Sequence, residues 1–172
     1  MSIDGGETWS RKTSENGLPE GDLGRIGLAI APSNPDRVYA IVEAKENAVY
    51  RSDDGGYEWY SISKDGNAGN RPFYYSDIFV DPQNQNNVYS LWSRVSRSED
   101  GGKTWKVIIP YYGVHPDFQA FWIHPNDPSY IIVGNDGGLA ISRDKGDSWR
   151  NVKNLPLGQF YHVSVDNELP YN

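Results

Sequence analysis

Short apolar runs separated by polar turn residues organise this chain. Runs such as Arg37–Val42 and Asn47–Ser52 are rich in β-branched and aromatic residues, and clusters of Gly, Pro and Asn separate them. Runs of this kind are typical of β-strands, and no stretch shows the sustained period of a helix. The pattern therefore predicts an all-β chain.

One strand pattern recurs three times. The segments Ile26–Pro32, Ser76–Pro82 and Gln119–Pro125 align at their final proline, and each is followed by a turn and a second strand. After a short link, a third strand leads through an Asp-containing turn to a fourth strand. The repeated unit therefore predicts four antiparallel strands.

The Asp-containing turn is an eight-residue motif with the pattern Ser-x-Asp-x-Gly-x-Thr-Trp, called the Asp motif below. Its four copies start 50, 46 and 44 residues apart, at Ser2–Trp9, Ser52–Trp59, Ser98–Trp105 and Ser142–Trp149. Periods of roughly 40–50 residues are typical of propeller blades. The predicted fold class is all-β, a β-propeller arc of about three complete four-stranded antiparallel blades with partial blades at both ends.

The residues of the Asp motif have structural duties in this interpretation. The Asp accepts hydrogen bonds from turn amides, the Gly two residues later adopts a positive φ, and the Trp is expected to be largely buried. The structural set is Asp4, Trp9, Asp54, Trp59, Asp100, Trp105, Asp144 and Trp149. The loops lack the further oxygen ligands and the closing Glu of an EF-hand. We therefore predict no metal and no cofactor.

The repeat divides the chain into parts of a single partial propeller domain, residues 1–172. The expected parts are the end of a preceding blade with its loop, three blades and the first strand of a next blade, at residues 1–24, 25–61, 75–110, 118–151 and 160–172. An isolated arc leaves two sheet faces and an edge uncovered. Two compatible interpretations are a fragment of a longer ring and self-association that completes a ring.

Composition excludes several classes of partner. The net charge of −7 argues against nucleic acid, because phosphate-binding proteins usually present a basic face. The sequence contains neither a basic tract nor an apolar run of membrane-spanning length, so no membrane partner is expected. The absence of cysteine excludes thiolate catalysis and cysteine metal sites.

The four Asp motifs resemble the Asp-box, or BNR, repeat of sialidases, of other glycoside hydrolases and of sortilin-type receptors. The stretch from about Arg71 to Asn172 is further similar to large bacterial BNR-repeat glycosyl hydrolases. Two copies depart at the Thr position, with Glu58 and Ser148, and Lys145 replaces a Gly. The resemblance implies a propeller, a possible glycan ligand and an extracellular or periplasmic location for the parent protein.

Strand direction indicates where a ligand would bind. If the four strands alternate, the turns between first and second strands share one face with the Asp motifs, and the longer links between blades share the other, called the loop face below. Aromatic rings that stack on sugars and charged groups that fix hydroxyls gather there. The substrate-binding candidates are Arg71, Tyr74, Tyr75, His115 and Gln119. The alternative is that the tyrosines pack between blades and Arg71 pairs locally with Asp77.

Asp77 and Asp117 are the candidate catalytic carboxylates. Glycoside hydrolysis usually requires two carboxyl groups about 5–9 Å apart, and these two lie at similar depth on neighbouring blades. Tyr75 ranks third, because sialidases use a Tyr nucleophile, but no arginine of this chain matches the sialidase arginine triad. His115, Asp117 and Gln119 alternate, so an extended segment would project them to one side as a thin ligand set for a metal.

Two classes of function stay open for the parent protein. One is a glycoside hydrolase-like propeller directed at a glycan, and the other is a noncatalytic propeller that binds a glycan or a protein segment, as sortilin-type receptors do. A pocket with paired carboxylates favours the first class, and an aromatic groove without close acids favours the second. A further interpretation is that the arc alone is inactive.

Overall fold

The computed structural model describes residues 1–69, 73–110 and 112–155, and they form three four-stranded antiparallel sheets. Blade 1 contains β1 (Ile26–Ala31), β2 (Asn34–Val42), β3 (Ala48–Ser52) and β4 (Tyr60–Ser63). Blade 2 contains β5 (Asp77–Asp81), β6 (Asn84–Leu91), β7 (Val95–Ser98) and β8 (Lys106–Ile109). Blade 3 contains β9 (Phe118–Ile123), β10 (Ile131–Asn135), β11 (Gly138–Ser142) and β12 (Arg150–Val152).

This architecture confirms the predicted all-β class of four-stranded antiparallel blades. Within each sheet the strands lie side by side in chain order. The helices of the described residues are two 3₁₀ turns, Ser14–Asn16 and Gly66–Ala68. The strand expected at residues 160–172 lies outside the described residues.

The cores lie between neighbouring blades, because each inner strand alternates its side chains between the two neighbours. On β5, Ile78 and Val80 pack into the cluster shared with blade 1. The intervening Phe79 points the other way, and its ring centroid lies 5.2 Å from that of Phe121 in blade 3. Burial of these large rings and aliphatic chains therefore stacks one sheet on the next.

The Asp motif of each blade also contacts the blade before it. Arg51 Nη1 donates to the carbonyl of Gly101 at 3.2 Å, and Arg97 Nη1 donates to the carbonyl of Lys145 at 2.8 Å. Both arginines directly precede an Asp motif, and both acceptors occupy the fourth position of the next motif. The same backbone contact therefore repeats from blade 1 to blade 2 and from blade 2 to blade 3.

The expectation that all four motif tryptophans are buried is wrong for Trp9. Trp105 is 6% exposed, whereas Trp9 is 74% exposed. Trp105 belongs to the cluster between blades 1 and 2, where the outer-strand residue Ile62 packs beside it. Burial of the ring thus depends on the preceding blade, not on the hairpin of its own motif. Among the described residues, no outer strand of a preceding blade packs against Trp9.

Candidate functional site

The Asp motifs lie on the face predicted for them. In each blade the fourth residue of the motif donates its amide to a carbonyl at the start of the second strand or in the turn just before it. Gly55 N bonds Asp36 O at 2.7 Å, Gly101 N bonds Asn86 O at 3.0 Å, and Lys145 N bonds Ser129 O at 3.1 Å. The links between blades therefore lie at the opposite ends of the strands, on the loop face.

Each motif aspartate is engaged by its own turn. In the third copy, Asp100 Oδ1 accepts from Thr104 N at 2.9 Å and from Ser98 Oγ at 2.8 Å, and Asp100 Oδ2 accepts from Thr104 Oγ1 at 2.7 Å. The indole Nε1 of Trp105 donates to Gly102 O at 2.9 Å. The other copies repeat the Asp and Trp bonds. This bonding is what a structural turn requires.

The same bonds change the acidity of these carboxyl groups. Burial raises the pKa of Asp100, but hydrogen bonds from Thr104, Ser98 and Lys103 outweigh it and lower the pKa to about 2. Bonds from the Ser148 side chain and amide lower the pKa of Asp144 to about 2. The pKa values of the two earlier motif aspartates are lowered for the same reason.

We expect Asp100→Ala to destabilise the protein by about 1–3 kcal/mol at neutral pH. The replacement leaves the amides of Lys103 and Thr104 without their acceptor, although water partly compensates because the turn is exposed. Chemical denaturation of the two proteins measures the difference. Ligand affinity should not change, so an unchanged free energy of unfolding together with lost binding would contradict the structural assignment.

The stability difference should also depend on pH. A carboxyl group whose folded pKa is depressed stabilises the fold above its ordinary pKa, and that contribution is lost as the pH falls towards the folded value. For Asp100 this window runs from the ordinary 3.8 down to about 2. The wild type should therefore lose its advantage over Asp100→Ala in that range, as denaturation at each pH will show.

On the loop face, the first contact group joins the blade entries, the segments that lead into the first strands, of blades 1 and 2. Arg25 Nη2 donates to Asp77 Oδ1 at 3.0 Å, and the guanidinium carbon lies 5.2 Å from the ring centroid of Tyr75. Arg25 Nη1 also donates to Tyr74 O at 3.4 Å. A Cβ at Gly27 would lie 2.8 Å from Ser76 O, so the close approach of β1 and β5 depends on this glycine.

Several predicted site residues meet in this group. Asp77 forms an ion pair with Arg25 of blade 1, whereas the alternative interpretation expected a pair with Arg71. Arg71 lies outside the described residues. Tyr75 is half-buried beneath the guanidinium, whereas Tyr74 and its neighbour Phe73 expose large parts of their rings. The exposed rings at this entry are therefore Phe73 and Tyr74.

The second contact group joins the entry of blade 3 to its own β10–β11 turn. Gln119 Nε2 donates to Asp136 Oδ1 at 2.7 Å. His115 packs on the same turn so closely that a Cβ at Gly137 would lie 2.5 Å from His115 Cβ. The β10–β11 turn thus brings a carboxylate to the loop face.

The expectation that His115, Asp117 and Gln119 project to one side of an extended segment is wrong. Asp117 adopts a left-handed conformation with φ 62, which interrupts the alternation before β9 begins. His115 Nδ1 lies 3.0 Å from Pro116 O, and the Gln119 amide points to Asp136. In the described part of the chain, no three His, Asp or Glu side chains are grouped to hold a metal ion.

Two members of the loop-face groups, Arg25 and Asp136, are not among the predicted site residues. Arg25 directly precedes an inner strand, as Ser76 does in blade 2, so its position was a usable signal. Asp136 gave a weaker signal, because an Asp-Gly pair between two strands is first read as a hairpin turn. The contacts that recruit both residues come from other strands, which the sequence does not display.

A cavity of about 250 Å³ also opens near the loop ends of blade 1. Its floor is apolar, and Asn47, Ser63, Lys64 and Asp65 contribute polar groups to its walls. Lys64 forms an ion pair with Glu46 of the β2–β3 turn. None of the predicted site residues lines this cavity.

Comparison with known proteins shows a shared propeller fold. No protein-family model matches the chain. An oligoxyloglucan-reducing end-specific xyloglucanase from Emericella nidulans is 24% identical over 164 residues, which cover 83% of this chain and 19% of that enzyme. Among solved structures, a GH74 enzyme from Niastella koreensis has a TM-score of 0.57 at 18% identity, covering 74% of this chain and 22% of its own.

Two further solved structures are similar to this chain. The GH74 xyloglucanase from Xanthomonas campestris has a TM-score of 0.56 at 20% identity and covers 76% of this chain and 23% of its own. YCF48 bound to D1 peptide has a TM-score of 0.53 at 12% identity, and the match covers 78% of this chain and 45% of the YCF48 chain. The chain thus spans about a fifth of the length of the xyloglucanases. No described helix is long and apolar enough to cross a membrane.

Proposed function

We propose that this chain is part of a glycoside hydrolase-like propeller that binds a neutral glycan at the loop face. The observation that carries the proposal is the pair of contact groups described above. They bring acids, amides and exposed aromatic rings to the face where inter-blade links surround the inner strands. The likeness to xyloglucanases supports a glycan as the ligand.

A neutral glycan fits the charges better than a sialic acid does. Recognition of a sugar carboxylate requires cationic side chains that are available to the ligand. Arg25 already donates to Asp77 and to the Tyr74 carbonyl. Neutral hydroxyl groups instead suit the mixture of carboxylates, amides and rings. Because glycan polymers of this kind lie outside the cytoplasm, an extracellular or periplasmic location belongs to the same proposal.

The candidate carboxylates for hydrolysis are Asp77, Asp117 and Asp136. Acid and base in a glycosidase lie on opposite sides of the scissile bond, and both retaining and inverting geometries need two such groups. Asp77 comes from blade 2, whereas Asp117 and Asp136 come from blade 3. Two blades therefore offer acids to one face, and the proposed reaction needs two of them about 5–9 Å apart.

A noncatalytic binding propeller is the second candidate. Asp77 accepts a hydrogen bond from Arg25 of the neighbouring blade, and Asp136 accepts one from Gln119 of its own blade, so both have a role in holding the loops. YCF48, which has a similar fold, is a propeller seen with a bound peptide. A loop face that binds a protein or glycan without hydrolysing it would need the aromatic rings but no carboxyl group that acts as acid or base.

Glycan binding should depend on the loop-face rings. We expect Tyr74→Ala to weaken binding of a xyloglucan oligosaccharide about tenfold, because it removes a stacking surface of roughly 1 kcal/mol or more. Tyr75→Ala should also weaken binding by releasing Arg25 from its ring. Isothermal titration calorimetry of the purified chain measures these affinities.

The matched control is Tyr57→Ala, which removes an exposed ring from an Asp motif. This variant should bind like the wild type. Equal losses in Tyr57→Ala and Tyr74→Ala would contradict the proposed location. Binding of a sialylated glycan but not of the neutral oligosaccharide would contradict the proposed ligand class.

A further inference from the structure

The cavity near the loop ends of blade 1 lies in the interface between blades 1 and 2. Ile41, Val49 and Ala68 line it, and all three belong to the core cluster that these two blades share. Asn47 of the β2–β3 turn and Asp65 of the link after β4 also line it, so it opens on the loop face. Its volume of about 250 Å³ equals the space of about eight waters at roughly 30 Å³ each. The cavity is therefore large enough for one sugar ring.

The equivalent space between blades 2 and 3 is filled by apolar side chains. Ser63 pairs with Val49 beside a bulge in β4, and Ile109 pairs with Val95 beside the equivalent bulge in β8. Ile109 is 1% exposed and belongs to one buried cluster with Val114 of the following link. A serine is too small to fill the same space, so the replacement of isoleucine by Ser63 opens the cavity and adds a hydroxyl group to its wall.

The polar wall of the cavity presents both donors and acceptors. Ser63 Oγ accepts from Asp65 N at 3.2 Å, which leaves its O–H to donate. Asn47 Oδ1 accepts from Ala44 N at 3.2 Å, which leaves its Nδ2 to donate. Asp65 Oδ1 accepts from Asn67 N at 2.9 Å, and the second oxygen of this carboxylate is an acceptor for a ligand. These local bonds also fix the side chains before a ligand enters.

Blade 2 adds buried hydroxyl groups behind this wall. Ser90 Oγ donates to the carbonyl of Ala68, and Ser96 lies beside Ser90 on the neighbouring strand. A Cβ at Gly69, which lines the cavity, would lie 3.3 Å from Ser76 Oγ. Ser76 and Ser96 are 1% and 0% exposed, and their hydroxyls have no hydrogen-bond partner in the described part of the chain. Buried hydroxyls without a protein partner indicate a place that a polar molecule occupies.

The charges of the cavity favour a neutral ligand. Among the described residues that line it, Lys64 is the cation, and it already forms an ion pair with Glu46. An anionic ligand would therefore meet the Asp65 carboxylate without a free cation to offset the repulsion. A neutral sugar ring fits better, because its apolar face suits the floor and its hydroxyl groups suit the donors and acceptors of the wall.

We propose that this cavity binds one neutral pyranose unit of the glycan that the loop face holds. The link that lines the cavity continues along the chain to the exposed rings of Phe73 and Tyr74. One glycan can therefore stack on these rings and place a neighbouring unit in the cavity. The identity of the ligand rests on the proposed function, whereas the site itself rests on the cavity and its polar wall.

Titration of the 172-residue chain with D-glucose, followed by proton–nitrogen NMR, tests the site. In the wild type the amide signals of Ser63, Gly66 and Gly69 should shift as glucose is added. Ser63→Ile fills the cavity and should raise the dissociation constant at least about tenfold. Because blade 2 accommodates Ile109 at the same position, this variant should unfold at no lower concentration of guanidinium chloride than the wild type. Asp65→Asn keeps an acceptor for the Asn67 amide but removes the charged acceptor, so it should also weaken binding.

The matched control is Ser61→Ile, the same replacement at an exposed position of the same strand that does not line the cavity. This variant should bind glucose like the wild type. The absence of glucose-dependent shifts in the wild type, or shifts that persist in Ser63→Ile, would overturn the inference. Glucuronate binding as tight as glucose binding would overturn the neutral ligand class.

A second titration, with a xyloglucan oligosaccharide, separates this inference from the proposed function. If both hold, Tyr74→Ala and Ser63→Ile should each weaken binding of the oligosaccharide. Binding that depends on Tyr74 but is unchanged in Ser63→Ile would overturn the cavity site and leave the proposed function standing. Glucose binding in the cavity without any binding of the oligosaccharide would support the site and overturn the proposed function.

Discussion

Replacing Trp105 by alanine should destabilise the protein by about 3–5 kcal/mol, the range expected when a buried Trp is lost from a core. The ring lies between blades 1 and 2 with Tyr39, Ile41 and Val88 in one cluster. Its removal leaves a cavity at an inter-blade contact and frees the carbonyl of Gly102, which accepts from the indole. Equilibrium unfolding in guanidinium chloride measures the loss.

The repeat supplies a matched control for this prediction. Trp9 has the same motif position and the same indole bond to Gly6 O, yet it is exposed. Trp9→Ala should therefore change the free energy of unfolding by less than about 0.5 kcal/mol. Equal effects at the two positions would show that burial by the preceding blade does not explain the role of the motif tryptophan.

Asp77→Asn or Asp117→Asn should lower glycoside turnover by at least about 100-fold if the parent propeller is a hydrolase. A carboxyl group acting as acid, base or nucleophile contributes mainly to the transition state, so kcat should fall far more than substrate affinity. Asp136→Asn is the third variant to compare, because Asp136 shares the loop face with both. Hydrolysis of a xyloglucan oligosaccharide by a purified protein containing these blades measures kcat and KM.

The controls separate chemistry from folding. Glu7→Gln neutralises an exposed acid in the first Asp motif and should leave turnover unchanged. Arg25→Met breaks the partly exposed ion pair with Asp77 without removing the carboxylate, and such pairs contribute only about 0–1 kcal/mol to stability. Full activity in the Asp77→Asn, Asp117→Asn double variant would exclude both residues from catalysis.

The blade architecture was predictable because its signals are local and repeated. The same order of turn residues, β-rich runs and Asp motif recurs in each blade, so each of the three copies supports the strands predicted in the other two. His124 illustrates the same point, since its Nδ1 accepts hydrogen bonds from the amides of Asn126 and Asp127 in the turn that follows it. Local hydrogen bonding of this kind follows directly from residue order.

The first contact group was less predictable because its contacts cross between blades. Arg25 lies 52 residues from Asp77 in sequence, and no period links the two side chains. Trp9 shows the same limit for the core, because the exposure of a motif tryptophan depends on whether a preceding blade packs against its ring. Asp117 adds a backbone effect, since its positive φ removes the alternation on which a metal-site hypothesis depended.

A crystal structure of the chain soaked with a xyloglucan oligosaccharide will show where the glycan binds. We expect sugar density on the loop face, against Phe73 and Tyr74 and within hydrogen-bond distance of Asp77 or Asp136. Sugar density against the Asp motifs, with the loop face unoccupied, would contradict it.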